Sequence, residues 1–213
     1  STDNCGSVLL SASKTTFSCS DIGSSTSTLL VTDKNNNTAT CKAIVTVIDT
    51  FPPVANCKPI TVNLDATGSG TLLPSTIDNG SKHACANVSL SASKTAFTCT
   101  DVGIDTVTLT VRDDRGKTST CKSVVTVVDD TRPIANCKPI KVYLNSMGSV
   151  SIQPIDLNNG STDNCGSILY SASKTTFTCT DMGSNAVTLN LTDKKNNTAS
   201  CLAEVTVVDK TPP

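Results

Sequence analysis

The stretch TVTLTVRDDRGKTSTCKSVVTVV, residues 106–128, holds two strand patterns around one polar turn. Val107, Leu109 and Val111 fall on one face and Thr106, Thr108 and Thr110 on the other, the period-two alternation of a half-buried β-strand. After the turn DDRGK the run KSVVTVV places Val125 and Val127 inward, with Val124 and Val128 on the opposite face. Gly and Asp in the turn have a chemical role, because Gly accepts positive φ and Asp bonds its own backbone.

The same phrasing recurs along the chain. AVTLNL at 186–191 and LAEVTVV at 202–208 repeat both strands, while STSTLLV at 25–31 is a weaker copy with Ser27 where Val107 points inward. ITVNL at 60–64 and IKVYL at 140–144 predict an opening strand. SASKTTFSCSDIG, SASKTAFTCTDVG and SASKTTFTCTDMG begin at Ser11, Ser91 and Ser171, and STDNCGS stands at both 1–7 and 161–167. Every phrase keeps a period of 80 residues, the mark of a tandem array. The expected division is the later part of one repeat at 1–51, complete repeats at 52–130 and 131–210, and the start of another junction at 211–213. On this reading the chain is a window on a longer polymer. Each complete repeat is expected to be an all-β, immunoglobulin-like two-sheet sandwich of about seven antiparallel strands.

Composition excludes several classes. The chain of 213 residues is 37% hydrophobic and 3% aromatic, with no Trp, so Val, Leu, Ile and Ala must supply the core, with Phe17, Phe97 and Phe177 expected to join it. The 17 basic and 18 acidic residues nearly cancel and form no run of one sign, which argues against a nucleic-acid footprint or a membrane-binding basic patch. No stretch approaches the ~20 apolar residues of a spanning helix, so no membrane insertion is expected.

Eleven cysteines fall at Cys5, Cys19, Cys41, Cys57, Cys85, Cys99, Cys121, Cys137, Cys165, Cys179 and Cys201. A small repeat with a thin aliphatic core is short of hydrophobic stabilisation, and disulfides in an oxidising compartment would reinforce it. The favoured pairing is one short and one long bridge per repeat: Cys85 with Cys99 and Cys57 with Cys121, then Cys165 with Cys179, Cys137 with Cys201, and Cys5 with Cys19. Cys41 is left over, its partner falling ahead of Ser1. The rival pairing joins Cys41 to Cys57 and Cys121 to Cys137, leaving Cys201 single. No CxxC occurs and His83 is the one histidine, so a zinc site does not fit.

Asp49, Asp129 and Asp209 recur at the junctions, and carboxylates converging there are candidates for Ca²⁺. The competing reading makes these residues, like Asp33, Asp113 and Asp193, Asx-turn formers. Asp3 and Asp163 of TDNC correspond to His83 in the middle repeat, so TDNC is the weaker candidate. His83 has no catalytic partners in register, and no enzyme is expected. Lys14, Lys94 and Lys174 read as exposed strand lysines that discourage edge pairing. Asn36, Asn79, Asn87, Asn159, Asn190 and Asn196 open N-x-S/T sequons, and Asp105-Thr106-Val107 has the form of a bacterial O-glycosylation site.

The phrases STDNCGS, TFTCTDMG, VTLTVRDDRGKTSTC and ANCKPI, with a closing VTVVD, resemble the HYR, or hyalin-repeat, class of immunoglobulin-like modules. They look most like the long tandem versions in surface proteins of gliding and other Bacteroidota. The resemblance covers essentially the whole chain. It implies Cys57 and Cys121 as a terminal-strand pair, Asn164-Cys165-Gly166 as a turn, and Asp113 with Gly116 before the last strand. The chain departs from it at His83-Ala84-Cys85-Ala86 and at Asn36 and Asn196, which stand where Gly116 does. The implied function is a structural repeat region of an extracellular filament or adhesin stalk, exported by type IX secretion and in some relatives moved by a gliding apparatus. Its partners would be adjacent repeats, with neighbouring filament strands or surface glycans bound through repeated faces as the alternative.

Overall fold

The computed structural model describes residues 1–4 and 6–210. Cys5 and the junction start at 211–213 lie outside the described residues. Among the described residues the chain forms tandem immunoglobulin-like β-sandwiches stapled by four disulfides, with only single-turn helices between strands.

The third copy shows the plan. Strands Ile140–Tyr143, Thr198–Val208, Gly183–Thr192 and Leu169–Ala172 form a four-stranded sheet in that order, and Ser149–Ser151 pairs with Thr176–Thr178 in a second sheet. The middle copy has the same order: Ile60–Asn63, Thr118–Val128, Gly103–Asp113 and Val88–Ala92, with Ser69–Thr71 against Ala96–Thr98 as its second sheet. Each complete copy therefore has six strands rather than about seven. The opening strand also runs parallel to the closing one, with Ile140 opposite Val205 and Ile60 opposite Val125. A parallel neighbour needs a long connection, and the intervening strands supply it.

Alternation fixes which side chains meet. Val187, Leu189 and Leu191 pack with Val205, Val207, Phe177, Leu157, Leu144 and Ile152, all buried. In the middle copy Val107, Leu109, Val111, Val125, Val127 and Phe97 are equally enclosed, while Val124 faces out. Phe17 departs from expectation and is exposed. The first-copy sheet of Leu9–Ala12, Gly23–Thr32 and Thr38–Val47 has no fully buried residue. In the complete copies the equivalent sheet carries the opening strand, Ile140–Tyr143 or Ile60–Asn63, on the edge of its closing strand.

The hairpin before each closing strand bends through a left-handed residue. Gly116 has φ 90°, and Asn36 and Asn196 take the same position at 63° and 68°. Asn is the side chain that best tolerates this region, so the departure from Gly leaves the turn intact.

The chain folds as two compact units. One comprises Ser1–Cys57, Asp78–Ser91 and Leu109–Cys121; the other comprises Lys58–Ile77, Ala92–Thr108 and Lys122–Pro213. Each unit draws on segments from two successive 80-residue periods.

Candidate functional site

Within the first unit Cys19 is bonded to Cys85 and Cys57 to Cys121. Within the second, Cys99 is bonded to Cys165 and Cys137 to Cys201. The short bridges Cys85–Cys99, Cys165–Cys179 and Cys5–Cys19 are therefore corrected: Cys85 and Cys19 hold each other, and Cys165 holds Cys99. The rival bridges Cys41–Cys57 and Cys121–Cys137 are corrected too. Geometry explains the short-bridge error. Cys165 precedes Leu169–Ala172, whose first residue pairs with Thr192, whereas Cys179 adjoins Gly183 at the other end of the same long strand. A ten-residue strand is ~33 Å long, far beyond the ~4.4–6.8 Å between bridged Cα atoms.

Cys41 and Cys179 are free and exposed among the described cysteines. Cys179 sits in the cradle that Cys99 uses: each Sγ lies 3.7 Å from a glycine carbonyl, Gly148 for Cys179 and Gly68 for Cys99. Both glycines have positive φ, and a Cβ there would lie 2.9 Å from Cys179 Sγ or 2.6 Å from Cys99 Sγ. Only glycine lets the sulfur approach.

Next to these bridges lie two polar clusters built from matching positions of the period. In the first unit the Asp49 and His83 side chains are only 4% and 3% exposed. His83 Nδ1 accepts the Cys85 N–H at 3.0 Å, so the hydrogen is on Nε2, which donates to the Phe51 carbonyl at 3.0 Å. Asp49 Oδ2 lies 3.4 Å from His83 Nε2 and 3.7 Å from Arg115, while Lys117 Nζ donates to the Asp49 carbonyl at 2.9 Å. Asp113 is buried, and its Oδ1 accepts the N–H groups of Arg115 and Lys117. Burial pushes Asp113 upward, but those backbone donors outweigh it and hold the carboxyl below its ordinary range.

In the second unit the carboxylates of Asp129, Asp163 and Asp193 come together, with one oxygen from each within 4.8 Å of the others. Asp129 and Asp193 are buried. Asp193 Oδ1 accepts the N–H groups of Lys195 and Asn197, and its Oδ2 accepts Asn197 Nδ2. Asp129 Oδ1 accepts Thr131 N–H and Asn164 Nδ2. Burial pushes Asp163 above the ordinary carboxylate range; the Cys165 N–H pulls it back, and the charges of Asp129 and Asp193 add to the rise. Such an oxygen cluster could hold a cation.

Of the three junction aspartates, Asp129 enters the carboxylate cluster, Asp49 sits in the His83 cluster, and Asp209 is exposed and outside both. Asp163, the weaker candidate from sequence, is a member of the cluster. The signal lay in the substitutions between copies: Asp163 for His83, Lys195 for Arg115 and Asn197 for Lys117 alter three positions that the fold brings together, two of them with a change of charge.

The repeated lysines do more than guard an edge. Lys94 donates to Asp101 at 2.7 Å and Asp105 at 2.8 Å, and lies over the Phe97 ring. Lys14 and Lys174 reach Asp21 and Asp181 in the same way, over Phe17 and Phe177. Hydrogen bonding from Lys94, then from the Thr98 N–H, holds Asp101 below its usual range. Both ring nitrogens of His83 are engaged by backbone groups. Among the described residues no helix is long and apolar enough to cross a membrane.

No protein-family model matches the chain. Among solved structures it is similar to Protocadherin Gamma B7 extracellular cadherin domains 1-4, with 13% identity over 95% of this chain and 67% of that one and a TM-score of 0.39. It is also similar to human mucin-like protocadherin EC1-2, at 12% identity over 74% of this chain and 98% of that one, TM-score 0.40. An I-band fragment from titin matches at 11% identity over 87% of this chain and 75% of the fragment, TM-score 0.43. The chain spans 66% of the PcdhgB3 EC1-4 chain and 60% of the Protocadherin gammaB7 EC3-6 chain.

Proposed function

We propose that this chain is part of the structural repeat region of an extracellular filament or adhesin stalk, in which covalent bridges between successive periods limit extension. The observation that carries this reading is the pair of bridges Cys19–Cys85 and Cys99–Cys165, each spanning 66 residues and joining one period to the next. Under tension, the covalent path crosses Cys19–Cys85, follows 14 residues (99 − 85) to Cys99, and crosses to Cys165. Fourteen residues reach at most ~50 Å, against ~280 Å for a whole period at ~3.5 Å per residue. An unfolded repeat would therefore lengthen the chain little. Cys179, in the cradle Cys99 uses, would continue the ladder into a following period.

Disulfides of this density support an oxidising, extracellular setting. The HYR-like phrases support assignment to surface proteins of the Bacteroidota type, with type IX export and a gliding role as the finest form of the proposal. Complete modules at 52–130 and 131–210 are part of it, with neighbouring repeats as the first partners. A second reading, adhesion to glycans or neighbouring strands through repeated faces, is favoured by exposed apolar side chains in register: Val54 with Ile134, Ile44 with Val124, and Leu9 with Leu169.

Single-molecule stretching of the oxidised and reduced chain tests the stalk reading. Reduction should add roughly 230 Å per released 66-residue loop at ~3.5 Å per residue. Equal extension with and without reductant refutes it.

A further inference from the structure

The two polar clusters use the same positions of the period but differ in how their charge is balanced. The first has two carboxylates, Asp49 and Asp113, with the Arg115 guanidinium 3.7 Å from Asp49 and the Lys117 ammonium on the Asp49 carbonyl. In the second, Asn197 Nδ2 takes over the bond of Lys117, lying 3.0 Å from the Asp129 carbonyl. Asp163 stands where His83 did. One cation has left and one carboxylate has entered, at a place already shielded from water. Three neighbouring carboxylates there repel one another and lose hydration, which a counter-charge must offset.

A separate observation points to a ligand. Asp163 Oδ1 and Asn164 Oδ1 are both fully shielded from solvent and accept no hydrogen bond from the protein; Asp49 Oδ2 and Asp113 Oδ2 of the first cluster are shielded and without a hydrogen bond too, but there Asp49 Oδ2 faces His83 Nε2 at 3.4 Å and Arg115 at 3.7 Å. Buried oxygens normally find a donor or a cation. Asn164 is held at the cluster by its Nδ2, which donates to Asp129 Oδ1 at 3.1 Å and to the Asp65 carbonyl at 3.0 Å.

We propose that Asp129, Asp163 and Asp193 form a site for one hard divalent cation of the size of Ca²⁺, and that the first cluster uses Arg115 and Lys117 in place of that ion. The dimensions agree. Oxygens ~2.3–2.6 Å from one Ca²⁺ lie up to ~4.6–5.2 Å apart, and the three carboxylate oxygens lie within 4.8 Å of one another. The ion would tie the end of the middle copy's closing strand, at Asp129, to the loop at Asp163 and the hairpin at Asp193. That loop carries Cys165, so the cation and the Cys99–Cys165 bridge fasten the same segment. The site does not depend on the stalk reading.

Titration calorimetry of the intact, oxidised chain with calcium chloride after chelator treatment tests the proposal. The expected result is uptake of about one ion per chain. Asp163→Asn and Asn197→Lys should each weaken it about tenfold or more, while His83→Gln, in the other cluster, leaves it unchanged. Asn197→Lys copies a residue the chain already tolerates at the matching position, and circular dichroism checks that both variants fold. No uptake at millimolar calcium, uptake of two ions, or affinity unchanged by Asp163→Asn would each overturn it.

Discussion

The cluster around Asp49 and the cluster around Asp129 occupy equivalent places in one repeating design, yet they solve different electrostatic problems. Around Asp49 the protein supplies its own cations, and the buried His83 spends both nitrogens on backbone groups. Each cluster holds two shielded oxygens without a hydrogen-bond donor, Asp49 Oδ2 and Asp113 Oδ2 in the first and Asp163 Oδ1 and Asn164 Oδ1 in the second, but around Asp129 three carboxylates converge. The strands beneath are the same in order and register, so junction chemistry can vary from copy to copy while the sandwich stays fixed.

The most disruptive way to probe this contrast is to remove the bridge beside the second cluster. Replacing Cys99 and Cys165 by Ala should cost about 4 kcal/mol for a loop of this length. Denaturant unfolding would measure that loss, and calcium uptake should fall with it because Asp163 and Asn164 adjoin Cys165. Removing Cys19 and Cys85 instead should leave calcium uptake in place.

Converting one cluster into the other has an intermediate effect. His83→Asp discards two backbone hydrogen bonds and adds a buried carboxylate, a loss of roughly 1–3 kcal/mol by thermal or denaturant unfolding. The single variant should gain no ion, since Lys117 remains. Combined with Lys117→Asn it should create a second calcium site, read as a doubled stoichiometry. Failure of the double variant to bind would mean that carboxylate count and lysine loss do not explain the difference.

The smallest effect serves as a control away from both clusters. Asp101 has its folded pKa lowered by Lys94 and the Thr98 N–H. Its contribution to stability is therefore present above the unfolded value near 3.9 and is lost as pH falls through the lower folded value. Lys94→Ala should flatten that acid limb slightly, as followed by NMR titration and acid unfolding, while leaving neutral-pH calcium uptake intact. An unchanged acid limb would show that the Lys94 interaction is too solvent-screened to matter.

The strands were legible because local alternation and burial agree. Val107, Leu109 and Val111 share a face by period two, and that face is fully enclosed. Phe17 shows the limit of such reading. It repeats Phe97 and Phe177 in sequence but is exposed, because Phe97 and Phe177 lie in strands paired with Ser69–Thr71 and Ser149–Ser151 whereas Phe17 lies in no strand. The candidate site was half legible: junction aspartates could be picked out by recurrence, but Asp163 looked dispensable because His83 replaces it. That substitution becomes informative only beside the changes at positions 115 and 117, which lie some thirty residues further along the chain, as Asp113 does from His83.

By itself, the amino-acid order determined the 80-residue period, the all-β alternation and the turn positions, since these follow from interactions a few residues apart and from plain recurrence. Tertiary structure alone decided which cysteine meets which and which carboxylates share a space. Cys165 and Cys179 are near in sequence but stand at opposite ends of a strand, whereas Cys99 and Cys165 are distant in sequence and within bonding reach. An extended backbone carries sequence neighbours apart, and only the packing of successive periods brings remote ones together.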